Sequence, residues 1–186
     1  MNDKRAPEHD EHQRTLVLDD HALQAAATSH LDEGAVTPAF AEHRDDIIAL
    51  LNDALATELV CVLRYKRHHF TAHGLSSPAI ASEFMVHANE EAGHADQIAR
   101  RIVQLGGEPD FAPDSLSARS HADYDTSSDL KAMVRANLVA ERIAVEAYRQ
   151  MISLIGDKDP TTRRMLEGIL ADEEEHADEL KDLLEQ

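Results

Sequence analysis

From residue 44 onward, apolar residues recur at a helical period and fall into four long segments. The first covers about residues 44–72, with Ile47, Ile48, Leu51, Leu55, Leu59, Val62 and Leu63 along one stripe. Gly74 follows as its C-terminal signal. The second opens at Ser76-Ser77-Pro78, where Ser77 reads as the N-cap and Pro78 as the first helical residue. It closes at Gly106-Gly107. The third starts after Ser127-Ser128 and ends at Gly156. Asp159-Pro160 then caps the fourth, which runs nearly to the last residue. The links within each pair are short, so helices one and two, and three and four, form antiparallel hairpins. Residues 107–128 carry Pro109, Pro113 and no helical period, so a long crossover joins the hairpins. The pattern predicts an all-α four-helix bundle over residues 44–186.

Residues 1–43 differ. They carry Lys4, Arg5 and Arg14 against nine acids, and admit a short helix near Leu18–Leu31. They read as an acidic N-terminal extension, either a mobile tail or an arm that packs on a neighbouring subunit.

Composition narrows the class. Aromatics are 4% with no Trp, and β-formers and turn residues are few, which argues against a sandwich or barrel. Lys and Arg number 18 against 36 Asp and Glu, a net charge of −18. Phosphate contacts need a cationic surface, so no nucleic-acid partner is expected; metal cations suit the balance better. Cys61 is the only cysteine, which excludes an intrachain disulfide, a zinc ribbon and a Cys-rich iron–sulfur site. No apolar run approaches membrane-spanning length, and the N-terminus lacks the apolar core of a signal peptide. The expectation is a cytoplasmic protein with no membrane partner.

Two Glu-x-x-His motifs carry the chemistry. Glu91-Ala92-Gly93-His94 lies in the second helix and Glu173-Glu174-Glu175-His176 in the fourth. That spacing sets carboxylate and imidazole one turn apart on one helix face. A single match in a chain this acidic reads as a solvated face. The pair is more specific, because each motif ends a hairpin whose first helix supplies another glutamate. Glu91 follows Glu58 by 33 residues and Glu173 follows Glu141 by 32. Each upstream glutamate is followed seven residues later by tyrosine, Tyr65 and Tyr148, so the chain is a diverged internal repeat. Glu58 sits among Leu55, Leu59, Val62 and Leu63, and Glu141 among Leu138, Val139 and Val145. A carboxylate on an apolar stripe is costly unless a cation or hydrogen bonds compensate it. Four glutamates and two histidines converging in a core meet that cost by binding two divalent metals, and the ligand types suit iron or manganese.

On Glu58-Leu59-Val60…Tyr65 and Asp172-Glu173-Glu174-Glu175-His176, residues 44–184 resemble bacterioferritin and its ferritin-like relatives. The resemblance implies a ferritin-like four-helix bundle with Glu58, Glu91, His94, Glu141, Glu173 and His176 as ligands of two Fe ions per subunit. Glu91 and Glu173 would bridge and Glu58 and Glu141 would be terminal. It implies a ferroxidase that oxidises Fe(II) to Fe(III) with O2 or H2O2, within an iron-storing and iron-detoxifying homo-oligomer. Tyr65 would donate an electron during oxidant reduction. Two departures bear on this. Bacterioferritin binds haem through a methionine beside the first motif glutamate; Ala92 stands there, so no haem is expected. The chain ends at Gln186, directly after the fourth helix, without the short fifth helix of 24-subunit shells. A dimer-based twelve-subunit, Dps-like shell is favoured.

Other residues carry two readings each. Tyr148 is a core tyrosine or a neighbour of the metals. His87, four residues before Glu91, is a histidine hydrogen-bonded behind the ligands or on the surface, or an accessory iron ligand on a path to the cavity. His68, His69 and His73 suit the C-terminal dipole of the first helix as capping residues, with a metal site as the other reading. Cys61, three residues after Glu58, reads as a small buried core residue or as a redox group near the site. The rival function is a manganese catalase-like or other dinuclear redox enzyme without iron storage. A non-catalytic interaction module is opposed by the six donors on apolar stripes, and rubrerythrin by the single cysteine.

Overall fold

A computed structural model describes residues 16–40 and 42–185. The part of the extension before Leu16 lies outside the described residues. Six α-helices are present among the described residues: α1 (Asp20–Thr28), α2 (Arg44–Thr71), α3 (Ser77–Gln104), α4 (Leu116–Arg119), α5 (Leu130–Ile155) and α6 (Pro160–Leu184). No strand occurs among the described residues. Helices α2, α3, α5 and α6 form the bundle; α2 packs on α3, α5 on α6, and the hairpins meet through α2 with α5 and α3 with α6.

Local chemistry accounts for the boundaries. Asp129 caps α5 by accepting from Ala132 N at 2.9 Å. Asp159 caps α6, accepting from Thr161 N and Thr162 N, with Pro160 as the first helical residue. Gly156 ends α5 at φ +51°, a conformation that costs glycine little, and donates its N–H to Ile152 O. Gly107 serves a close approach: a Cβ there would stand 2.8 Å from Ile48 Cγ2. One expected cap differs. The N-cap of α3 is Ser76, without a side-chain bond, while Ser77 Oγ turns back to donate to Gly74 O at 2.8 Å.

The crossover is not free of helix, because α4 adds one turn. It runs along α2, tied to it at successive points. Asn52 receives Asp110 N at 2.8 Å and Thr57 Oγ1 receives His121 N at 3.0 Å. Arg64 donates to Asp123 O at 3.2 Å, and Arg67 to Thr126 O and Ser127 O at 2.8 Å. These side chains lie on the α2 face turned from the bundle axis, so the crossover becomes a fixed cover.

That cover changes the reading of His68. It is fully buried and no exposed helix cap: Asn137 Nδ2 lies 3.1 Å from its Nδ1, and its ring meets Phe84 at 5.8 Å. Leu63 and Val139, expected on core stripes, are exposed, since they flank the apolar face and none of the described residues covers them. α1 forms where a short helix was expected but buries no residue; nearer the bundle, Val36 is buried and Phe40 packs on the core.

Two large apolar clusters make up most of the described core, with two small ones under the crossover. One of the large clusters holds Leu51, Leu55, Ile98, Ile102, Tyr148, Met151, Leu166 and Ile169. The other holds Tyr65, Phe84, Ala88, Met133, Val134 and Leu180. Between them along the helices lies a layer of buried glutamate and histidine. At the end nearer the first cluster, Arg101 forms a buried pair with Asp159, its NH2 within 2.9 Å of both carboxylate oxygens. Arg101 Nε also donates to Thr162 Oγ1 at 2.8 Å.

Candidate metal centre

All six donors of the repeat meet in that layer. Glu58 comes from α2, Glu91 and His94 from α3, Glu141 from α5, and Glu173 and His176 from α6; each is at least 96% buried. His94 Nδ1 lies 3.5 Å from Glu58 Oε2, 3.6 Å from Glu91 Oε2 and 3.2 Å from Glu173 Oε1. His176 Nδ1 lies 3.7 Å from Glu91 Oε1 and 3.8 Å from both Glu141 Oε2 and Glu173 Oε2. The donors therefore form two quartets, Glu58, Glu91, His94, Glu173 and Glu91, Glu141, Glu173, His176. Glu91 and Glu173 belong to both, each presenting one oxygen to each histidine.

The atoms facing this layer lack partners. Glu58 Oε2, Glu91 Oε1, His94 Nδ1, Glu141 Oε2, both Glu173 oxygens and His176 Nδ1 are buried without a hydrogen bond. Buried acceptors are normally satisfied, so seven such atoms around one volume fit a pair of cations.

The far sides of the same residues are satisfied, and by exchange between hairpins. His94 Nε2 lies 3.2 Å from Asp172 Oδ2 on α6, and His176 Nε2 lies 3.0 Å from Glu90 Oε2 on α3. An imidazole whose outer N–H is tied to a carboxylate turns its inner lone pair to the centre, the arrangement of metal-binding histidines. Sequence reasoning missed Asp172 and Glu90. The signal was present: an acid immediately precedes the glutamate in both motifs. The tyrosines cross in the same way. Tyr65 donates to Glu141 Oε1 and Tyr148 donates to Glu58 Oε1. Tyr148 is thus both a core residue and a neighbour of the donors.

Electrostatics show what the donors do without cations. Burial, then the neighbouring charges of Glu91 and Glu173, pushes Glu58 well above the usual carboxylate range. Burial and the Glu91 charge do the same to Glu141. Burial opposes charge on His94 and His176, yet the carboxylates that ring each imidazole hold both far above the usual imidazole range. Protons therefore gather where cations would neutralise the layer.

Cys61 is buried on α2 one turn after Glu58, packed with Ala122 and Ala140, where Arg64 NH2 lies 3.3 Å from its Sγ. Burial raises the thiol well above its ordinary range, which keeps it inert. Arg64 is itself fully buried and donates through Nε to Asn137 Oδ1 at 2.7 Å. His69 and His73 remain near the end of α2, where His69 Nδ1 lies 2.6 Å from Ala81 O and His73 Nδ1 lies 3.2 Å from Thr71 O.

A family model described as a ferritin-like domain matches residues 48–186. The bacterioferritin of Desulfovibrio desulfuricans is 27% identical over 136 residues, covering 73% of this chain and 72% of that protein. A Synechococcus protein named a nutrient stress-induced DNA-binding protein is 30% identical over 132 residues, covering 68% of this chain and 74% of its own length. Among solved structures, a dodecameric thioferritin, the bacterioferritin-related protein of Bacteroides fragilis, superposes with a TM-score of 0.73 at 33% identity. That match covers 76% of this chain and 85% of the other.

Proposed function

The chain belongs to the ferritin family through its ferritin-like domain, and from that premise we propose that it is a ferroxidase of an iron-storing, iron-detoxifying shell. The observation that carries this reading is the overlap of two donor quartets on Glu91 and Glu173. Glu58, Glu91, His94 and Glu173 would hold one substrate Fe(II), and Glu91, Glu141, Glu173 and His176 the other. Carboxylate with imidazole suits Fe(II) or Mn(II) over a thiolate-seeking ion, and carboxylates bind Fe(III) as well.

Each Fe(II) gives one electron to O2 or H2O2, and the two Fe(III) pass on to the store. The chain's own part is to bind and orient. Asp172 and Glu90 fix the histidines, and Tyr65 and Tyr148 fix the terminal carboxylates. Protons held on Glu58, Glu141 and the histidines leave as iron enters, which keeps the layer close to neutral. Tyr65, hydrogen-bonded to Glu141, is placed to supply an electron.

The assembly is read as a dimer-based shell of twelve subunits, supported by the dodecamer of the Bacteroides relative. The DNA-binding role in the Synechococcus relative's name is not carried over, because a net charge of −18 opposes phosphate contacts. Ala92 beside Glu91 offers no ligand to haem iron. Among the described residues no helix is long and apolar enough to cross a membrane, and the reading places the protein in the cytoplasm.

The test is Fe(II) oxidation by a Glu91→Ala/Glu173→Ala variant, followed by absorbance with O2 and with H2O2 as oxidant. Loss of the fast phase is expected. A fast phase at the wild-type rate would refute the site.

A further inference from the structure

Beside the centre, His87 is hydrogen-bonded at both ring nitrogens. Its Nδ1 lies 3.1 Å from Tyr65 Oη and its Nε2 2.9 Å from Glu179 Oε2, so it stands behind the ligands. Apolar groups without a partner lie elsewhere, at the start of the described chain. Leu16, Val17, Leu18, Leu23 and Leu31 are each at least 51% exposed, and α1 buries no residue. The chain meets the bundle only after them: Glu33 lies 3.7 Å from Arg44, Val36 is buried and Phe40 packs on the core. Large aliphatic side chains gathered in so short a segment mark a contact surface.

A surface of matching character runs along the seam between α2 and α5. A groove of about 770 Å³ is lined by Leu50, Val139, Ile143, Met151 and Leu154 among others. Through Val139 and Ile143 it joins a second of about 410 Å³, which Arg135 also lines. Through Leu50 and Leu154 it joins a third of about 490 Å³. Val139 is 58% and Leu154 61% exposed, so the floor is open. From Arg135 to Leu154 the groove follows α5 for about 28 Å, against about 14 Å for α1.

Charge pairs the two surfaces. Lys131, Arg135, Arg142 and Arg149 are exposed on α5, and their spacing places them in one line along the helix, beside the groove. None of the four makes an ion pair among the described residues, whereas Arg100, Arg119 and Arg163 each do. Four unpaired cations on one helix stand out in a chain of net charge −18. Residues 16–32 hold Asp19, Asp20 and Asp32 and no lysine or arginine. Within one chain the segment leaves its own groove empty, since α1 buries no residue.

We infer that residues 16–32 of one subunit lie in the α2–α5 groove of a second copy of the chain. Their leucines cover Val139, Ile143 and Leu154, and their aspartates meet the cation line of α5. Of the two sequence readings of the extension, this selects the arm that packs on a neighbour. The inference takes the second copy from the shell of the proposed function and owes nothing to the metal centre.

Photocrosslinking of the full chain, with a benzophenone side chain in place of Leu23, tests this. Products are sized on a denaturing gel and mapped by mass spectrometry, and assembly is followed by size exclusion. Expected is a two-chain product joined to residues of the α2–α5 groove. Its yield is expected to fall several-fold in Arg135→Glu/Arg142→Glu/Arg149→Glu, and also at 1 M salt, where the screening length is about 3 Å. A yield unmoved by the charge reversal would overturn the pairing of segment and groove. A groove crosslink within a single chain would overturn the second copy. Crosslinks that miss the groove in an intact shell would overturn the docking and leave the shell standing. A monomeric wild type would instead overturn the shell, and the second copy with it.

Discussion

Tyr148 belongs to α5, yet its phenol donates to Glu58 on α2. Tyr65 on α2 donates in return to Glu141 on α5. Each tyrosine lies two turns beyond the glutamate of its own repeat and serves the glutamate of the other. Asp172 and Glu90 exchange histidines in the same manner. The centre is thus built from two half-sites, and neither hairpin supplies a complete one.

Removing either phenol leaves a buried carboxylate short of a donor. Tyr148→Phe and Tyr65→Phe are each expected to weaken Zn(II) binding by roughly 10–100-fold, the usual cost of losing an outer hydrogen-bond partner. Tyr65→Phe should also slow Fe(II) oxidation at saturating iron, which Tyr148→Phe should not. Titration and stopped-flow absorbance check both. Binding unaffected by Tyr148→Phe would contradict the crossed arrangement.

Metal should act on the fold through the same layer. With free Zn(II) at about 100 times Kd, stability is expected to rise by about 2.7 kcal/mol per site. Tm should rise by several degrees. In Glu91→Ala/Glu173→Ala the shift from the paired sites should vanish. Calorimetry with and without Zn(II) measures it, and a full wild-type shift in the variant would contradict the ligand assignment.

His68 predicts a pH effect away from the centre. Burial is the main influence that lowers its pKa from 6.5 to about 4. The folded state therefore prefers the neutral ring. This contribution is fully present above about pH 6.5 and is lost as the pH falls toward 4. At about 1.4 kcal/mol per pKa unit the loss approaches roughly 3 kcal/mol. His68→Gln does not titrate, so its urea midpoint at neutral pH should fall below wild type and the gap should narrow on acidification. A gap constant from pH 7 to 4.5 would refute this.

Much of this structure was legible in the sequence because its signals are local or periodic. Gly156, Asp159-Pro160 and the stripe from Ile47 to Val62 mark helix ends and faces directly. The convergence of six side chains in one buried layer was legible because a repeat doubles a motif that is weak alone. What escaped depends on contacts between elements. His68 at a helix end reads as exposed until the crossover covers it. Asp172 and Glu90 read as surface acids until the opposite hairpin brings a histidine to each. The sequence shows that Tyr65 and Tyr148 follow their glutamates, but the exchange of partners exists only once the hairpins dock.

The most direct test of the central claim is iron capacity. Metal-free protein is given a large aerobic excess of Fe(II), passed over size exclusion, and its iron counted per chain in the protein peak. Many irons per chain in a large particle is the predicted result, since a shell stores what its centres oxidise. About two per chain in a dimer would contradict storage and leave a closed dinuclear redox enzyme, with manganese catalase chemistry the next to assay.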